Sequence, residues 1–205
     1  MTEKIYLVSL GCDKNLVDSE IMLGLLSKEG YMITNELSEA DYAIVNSCCF
    51  IGDAKEESIN TIIEIGELKK EGKLKGLIVT GCLAQRYQSM ITDELPEADA
   101  VIGTTAYDNI VSAIAEMKAK NGLPDKSLFI EDLERLAGGE EHRLVPAGEI
   151  SSYIKIAEGC NKRCTYCIIP YIRGNYRSIP METILKEAEE LAKQGTKELL
   201  LVAQE

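Results

Sequence analysis

Three apolar runs of this chain end alike. "IYLVSL" (5–10), "YAIVNS" (42–47) and "GLIVTG" (76–81) each lead into a cysteine, at Cys12, Cys48 and Cys82. A fourth run, "DAVIG" (99–103), follows, and between them the pattern turns amphipathic at helical spacing. Short apolar runs alternating with amphipathic stretches predict a parallel sheet flanked by helices, an α/β fold. In "DAKEESINTIIEIGELKKEG", Ile59, Ile62 and Ile63 mark one face, acidic residues crowd the first turn, lysines the last, and Gly72 stops the helix. "YDNIVSAIAEMKAKNG" sets Ile110, Ile114 and Met117 on one stripe and ends at Asn121 and Gly122.

Parallel strands present their carboxyl ends at one edge of the sheet, where open α/β folds bind ligands. The thiols of Cys12, Cys48 and Cys82 can therefore converge although they are far apart in sequence. A single cysteine at such a place is explained as a small buried residue; three at equivalent places are not. Gly11 and Gly81 give the backbone room to approach a bulky group. Cys49 points away from Cys48 in a continuing strand and is read as core filler or an alternate ligand. Asn15 and Asp18, at the start of the helix carrying Ile21, Met22, Leu25 and Leu26, either cap that helix or stand near the cysteines.

Residues 123–150 turn to Gly, Pro and charge and read as a linker between a first domain (1–122) and a second (151–205). The second opens with "SSYIKIAEGC" as a strand. "METILKEAEELAKQG" follows as a helix with Met181, Ile184, Leu185, Ala188 and Leu191 in register, stopped by Gly195, and "KELLLVAQE" returns as a strand. One βαβ unit cannot cover both faces of its sheet, so it reads as the opening of a larger barrel, cut short.

Seven cysteines are an odd number, and "MTEKIYLVSLGCDKN" lacks the basic and long apolar regions of a secretory signal. Metal or redox chemistry in the cytoplasm is expected rather than a disulfide framework. No stretch approaches the roughly 20 apolar residues of a membrane span. The net charge of −12, from 22 basic and 34 acidic residues, disfavours a nucleic-acid backbone and favours a basic protein partner. The lone histidine, His142, in "GGEEHR", reads as a solvated loop residue, which weakens hydrolase and histidine-rich zinc readings.

The second cysteine set, Cys160, Cys164 and Cys167, has the spacing C-x3-C-x2-C in a loop after a strand. Structural zinc needs a fourth Cys or His, and only His142 is at hand. An iron–sulfur cluster normally takes four thiolates, so three leave one iron open to a non-protein ligand.

With Tyr166 beside Cys167, this loop resembles the motif of the radical S-adenosylmethionine enzymes. "SLGCDKNLVDSE", "VNSCCFI", "GCLAQRY" and "IAEGCNKRCTYCIIPYIRG" together resemble the methylthiotransferases of that superfamily. The resemblance implies a methylthiotransferase-type N-terminal α/β domain, then the first βαβ unit of a TIM-like radical barrel. It implies one [4Fe–4S] cluster on Cys12, Cys48 and Cys82, which takes part in handling the inserted sulfur, and a second on Cys160, Cys164 and Cys167. S-adenosyl-L-methionine would bind the open iron of the second cluster, serving as radical source and methyl donor, with an external electron donor.

The wording of the first and last motifs is most similar to the branch that methylthiolates the β-carbon of an aspartate in the twelfth small-subunit ribosomal protein. The acidic charge agrees with that basic substrate. The alternatives are a tRNA-adenosine methylthiotransferase and a non-catalytic iron–sulfur module, and the 205-residue chain is expected to be inactive alone. Asp13 stands where the branch often has proline. "GGE" at 138–140 precedes the cysteine loop and so does not match the superfamily's motif for the cofactor's amino group; "VAQE" occupies the expected place. Tyr166, Gln204 and Glu205 are accordingly the candidate contacts to S-adenosylmethionine.

Overall fold

The runs "YAIVNS" and "GLIVTG" are buried at every residue, as strands covered on both faces must be. The structure, a computed structural model, describes residues 2–120, 126–138, 143–146 and 148–205. In chain order the first unit comprises β1 (Lys4–Ser9), α1 (Asp13–Lys28), β2 (Met32–Ile33), β3 (Tyr42–Ser47), α2 (Gly52–Lys70) and β4 (Gly76–Gly81). It continues with α3 (Cys82–Tyr87), α4 (Ser89–Glu94), β5 (Ala100–Ile102), α5 (Ile110–Lys120) and β6 (Ser127–Phe129). The strands form one parallel sheet in the order β2-β1-β3-β4-β5-β6. The order reverses between β1 and β3, the crevice where such sheets bind ligands. Apolar clusters cover both faces, one holding Val45, Ile62, Leu77 and Val79, the other Ile21, Ile44, Ile78 and Ile114. Burying each such side chain contributes about 1.5–3 kcal/mol.

Three details depart from the pattern in the sequence. β2 and β6 are too short to carry a periodicity, and β6 falls inside the 123–150 stretch, where it extends the sheet beside β5. In α2, Ile62 faces the core but Ile63 is 39% exposed, because Ser58, Ile65 and Gly66 form the rest of the buried stripe. Neither Asn15 nor Asp18 caps α1. Cys12 occupies the N-cap position without a side-chain cap, and both polar residues lie inside the helix, buried. Asn121, Gly122, His142 and all but the first residue of "GGE" lie outside the described residues.

The second unit comprises β7 (Ser151–Lys155), β8 (Ala157–Glu158), α6 (Ile169–Ile172), β9 (Arg177–Ser178), α7 (Met181–Gln194) and β10 (Glu198–Val202). β10 pairs parallel with β7 and β9 antiparallel with β8. Gly195, at φ 110°, ends α7 in the left-handed conformation that glycine tolerates. Of the apolar stripe of α7 only Leu191 is fully buried, while Met181 and Leu185 stay exposed, as does Leu201 on β10.

Buried ion pairs join the two units. Arg143 donates from Nε to Glu20 on α1 at 2.7 Å, from Nη1 to Glu187 on α7 at 2.8 Å, and to the backbone carbonyl of Tyr153 on β7.

Candidate functional site

Cys12 begins α1 after β1, Cys48 follows β3 and Cys82 opens α3 after β4, so the three thiols come from three adjacent strand ends. They line one cleft of about 720 Å³ together with Arg173, Val202 and Gln204. The backbone is shaped to that cleft. Gly11, at φ 98°, has no room for a side chain, since a Cβ there would stand 2.9 Å from Cys48 Sγ. Gly81, at φ 90°, would place a Cβ 2.3 Å from Asn46 Oδ1 and 2.5 Å from the Ser47 carbonyl oxygen. Gly81→Ala is therefore expected to cost about 1–3 kcal/mol of stability, measured by urea unfolding, with an unchanged midpoint as the contrary result.

Cys49 is buried and its thiol donates to the Cys82 carbonyl oxygen at 3.2 Å, away from the cleft. Burial pushes the Cys82 thiol up to about 11, against the pull of the nearby Arg173 guanidinium.

The second set spans a loop pinned at its base, where the Cys160 amide donates to the Gly174 carbonyl at 3.2 Å. Gly159, at φ 74°, permits this closure, because a Cβ there would meet the Asn175 carbonyl oxygen at 2.0 Å. Within the loop the Cys167 amide donates to the Cys164 carbonyl at 3.0 Å. Cys160 is buried, Cys164 exposed and Cys167 between. Gln204 Oε1 accepts from the Gly159 amide at 2.9 Å, and Glu205 Oε2 lies 3.6 Å from Cys160 Sγ, so both reach the start of the loop. Tyr166 stands 88% exposed.

A buried charged group, of which sequence reasoning named only Asp18, lies between the sets. Lys14 and Asp18 on α1, Lys155 on β7, Glu158 on β8 and Arg173 after α6 are all buried. Lys155 Nζ is 2.5 Å from Asp18 Oδ1 and 3.1 Å from Glu158 Oε1, and Arg173 Nη1 is 2.8 Å from Asp18 Oδ2. Arg173 Nη2 donates to Asn15 Oδ1 at 2.7 Å, and Asn15 Nδ2 donates to the carbonyls of Leu10 and Ser47. Burial opposes ionisation of Glu158, but Lys155, Arg173 and Lys14 outweigh it and hold the carboxyl down at about 2. Burial likewise lowers Lys14, to about 8. The available signal was a cation inside an apolar run: Lys155 between Ile154 and Ile156, and Arg173 closing "IIPYIRG".

Among the described residues no three His, Cys, Asp or Glu side chains close around one point as they would around a single metal ion. A four-iron cluster asks for something else, one thiolate to each of several irons. Three free thiols lining one glycine-backed cleft fit that demand, and so does the cysteine loop with its exposed Cys164. No helix among the described residues is long and apolar enough to cross a membrane.

Residues 4–103 match the family described as "Uncharacterized protein family UPF0004", and residues 154–205 match the radical SAM superfamily. Three curated relatives, each called ribosomal protein uS12 methylthiotransferase RimO, align over nearly the whole chain. The one from Lachnoclostridium phytofermentans is 56% identical over 98% of this chain and 45% of its own length. That from Clostridioides difficile is 49% identical over 98% and 45%. That from Acetivibrio thermocellus is 50% identical over 100% and 46%. The chain thus spans a little under half the length of these relatives.

Proposed function

The chain belongs to the radical S-adenosylmethionine methylthiotransferase family, on the RimO side of it, and from that premise we propose that it serves methylthio transfer to an aspartate β-carbon of ribosomal protein uS12. Membership implies S-adenosylmethionine and iron–sulfur clusters as cofactors, and we propose two four-iron clusters, one per cysteine set. The observation that carries it is the shared cleft of Cys12, Cys48 and Cys82, closed on its far side by residues that belong to the other cysteine set's unit.

When bound and reduced, a cluster with an open iron supplies the electron that cleaves a sulfonium. The rest falls to the chain. Cys160, Cys164 and Cys167 would hold a four-iron cluster by three thiolates and leave one position for S-adenosylmethionine, and Gln204 and Glu205 stand at the base of their loop. Cys12, Cys48 and Cys82 would do the same for a sulfur-handling cluster, and Gly11 and Gly81 keep the backbone beside their cleft free of side chains. The free state of all seven thiols suits a reducing cytoplasm, and the charge of −12 suits a basic substrate protein.

Anaerobic reconstitution tests the metal content: about eight irons per chain are expected, and a preparation that takes up only zinc would overturn the reading. Mass spectrometry of uS12 and of tRNA from cells lacking the gene tests the substrate. Loss of the modification from uS12 is the expected result, and loss from tRNA alone would move the assignment to the nucleic-acid branch.

A further inference from the structure

The buried group between the cysteine sets does not balance its own charge. Lys14, Lys155 and Arg173 bring three positive charges, Asp18 and Glu158 two negative ones, and all five are less than a tenth exposed. Each carboxylate is already shared. Asp18 serves Lys155 and Arg173, while Glu158 lies within 3.1–3.7 Å of Lys155, Lys14 and Arg173. Lys14 also donates to the Ala157 carbonyl, so every cation has an acceptor. One positive charge in excess stays buried all the same, which is costly, so one further negative charge belongs beside this group. Of the two cavities this group lines, the cysteine cleft, reached by both Lys14 and Arg173, is the one with anionic ligands to offer. Arg173 lines that cleft with Cys12, Cys48 and Cys82, its Nη2 is held by Asn15 Oδ1 at 2.7 Å, and the same Asn15 oxygen lies 3.9 Å from Cys82 Sγ. An oxidised four-iron cluster on three thiolates carries roughly one net negative charge, and reduction adds another.

We propose that Arg173, reaching across from the second unit, supplies the balancing positive charge for an anionic iron–sulfur cluster on Cys12, Cys48 and Cys82 and thereby sets that cluster's reduction potential. Arg173 is a positioning residue: it ligates no iron and acts through the field it places on the ligand set. The inference rests on the reading that the first cysteine set holds a cluster. It also makes the first site dependent on the second unit, since the cation that completes it lies six residues beyond Cys167.

The test uses the full chain with Cys160, Cys164 and Cys167 replaced by alanine, so that only the first set's irons remain, titrated with dithionite under electron paramagnetic resonance. Arg173→Met should lower the potential, because reduction then adds negative charge to a site that has lost its counter-charge. Asp18→Asn should raise it, by leaving the cations less compensated. Arg173→Lys should stay nearest the parent. A merely structural role predicts lower stability and iron loading in both neutralised variants with no opposed displacement, so shifts of the same sign, or none, overturn the proposal. Should Arg173→Met fail to load, the other two variants still decide: a potential that does not rise in Asp18→Asn refutes it. A parent that takes up no iron refutes the shared premise with the functional reading, whereas a loaded parent whose potential ignores all three substitutions refutes the role of Arg173 alone.

Discussion

Cys164→Ala should halve the iron of the reconstituted chain, from about eight to about four per chain, and abolish every spectral response to S-adenosylmethionine. Cys164 is exposed and lies mid-loop. A substitution at such a surface position typically changes stability by no more than about 0.5 kcal/mol, so the loss of iron reports ligation and not collapse. Cys82→Ala provides the contrast. It too should cost about four irons, but the response to S-adenosylmethionine should survive, because the loop of Cys160, Cys164 and Cys167 is pinned by its own backbone bonds to Gly174 and by Gln204. Any release of 5′-deoxyadenosine by the intact chain should fall to background in Cys164→Ala and persist in Cys82→Ala. If Cys164→Ala kept all its iron, or if either variant lost all of it, two independent three-thiolate sites would be the wrong description.

The strands that lead to Cys48 and Cys82 were legible because a strand covered on both faces needs a continuous apolar run, and "YAIV" and "LIV" supply it, with the polar Asn46, Ser47 and Thr80 buried only at their carboxyl ends. The convergence of their cysteines followed from topology alone. β2 and β6 were not legible, since two or three residues held by backbone pairing need no side-chain period. Ile63 misled for a different reason: in α2 the small residues Ser58 and Gly66 face the core, Gly66 because a Cβ there would stand 2.2 Å from Glu97, and a hydrophobic pattern does not register small residues. Asn15 and Asp18 were read either as a helix cap or as neighbours of the cysteines, and the second holds for Asn15, 3.9 Å from Cys82 Sγ, but their charged partners Arg173 and Lys155, more than 130 residues away, were not legible. A single sequence marks a buried charge as odd. It does not say which distant charge answers it.

Arg143 makes the second large effect measurable without any metal. It reaches Glu20 and Glu187, and all three side chains are buried. Arg143→Met should destabilise the apo chain by about 3–5 kcal/mol at neutral pH, because it leaves two carboxylates buried with their principal partner gone. The pH dependence identifies the cause. Burial raises Glu20 and Glu187 above the ordinary carboxylate value even against the pull of Arg143. An acid raised in this way binds its proton more tightly folded than unfolded, so its contribution becomes more favourable as pH falls toward the carboxylate range and less favourable as pH rises through the folded value. Without the guanidinium both carboxyls rise further and become neutral sooner on acidification, so the deficit of Arg143→Met should shrink between about pH 7.5 and about pH 5. Glu158 behaves oppositely, losing its contribution as pH falls from the ordinary value toward about 2, but it does so in both proteins and cancels in the difference. Adding Glu20→Gln and Glu187→Gln to Arg143→Met should recover most of the loss at neutral pH, since neutral amides leave no buried charge to pair. Urea unfolding at the two pH values decides it: a deficit that does not change with pH would mean that Arg143 stabilises the junction by packing its stem, and not by neutralising the two acids that its guanidinium holds together.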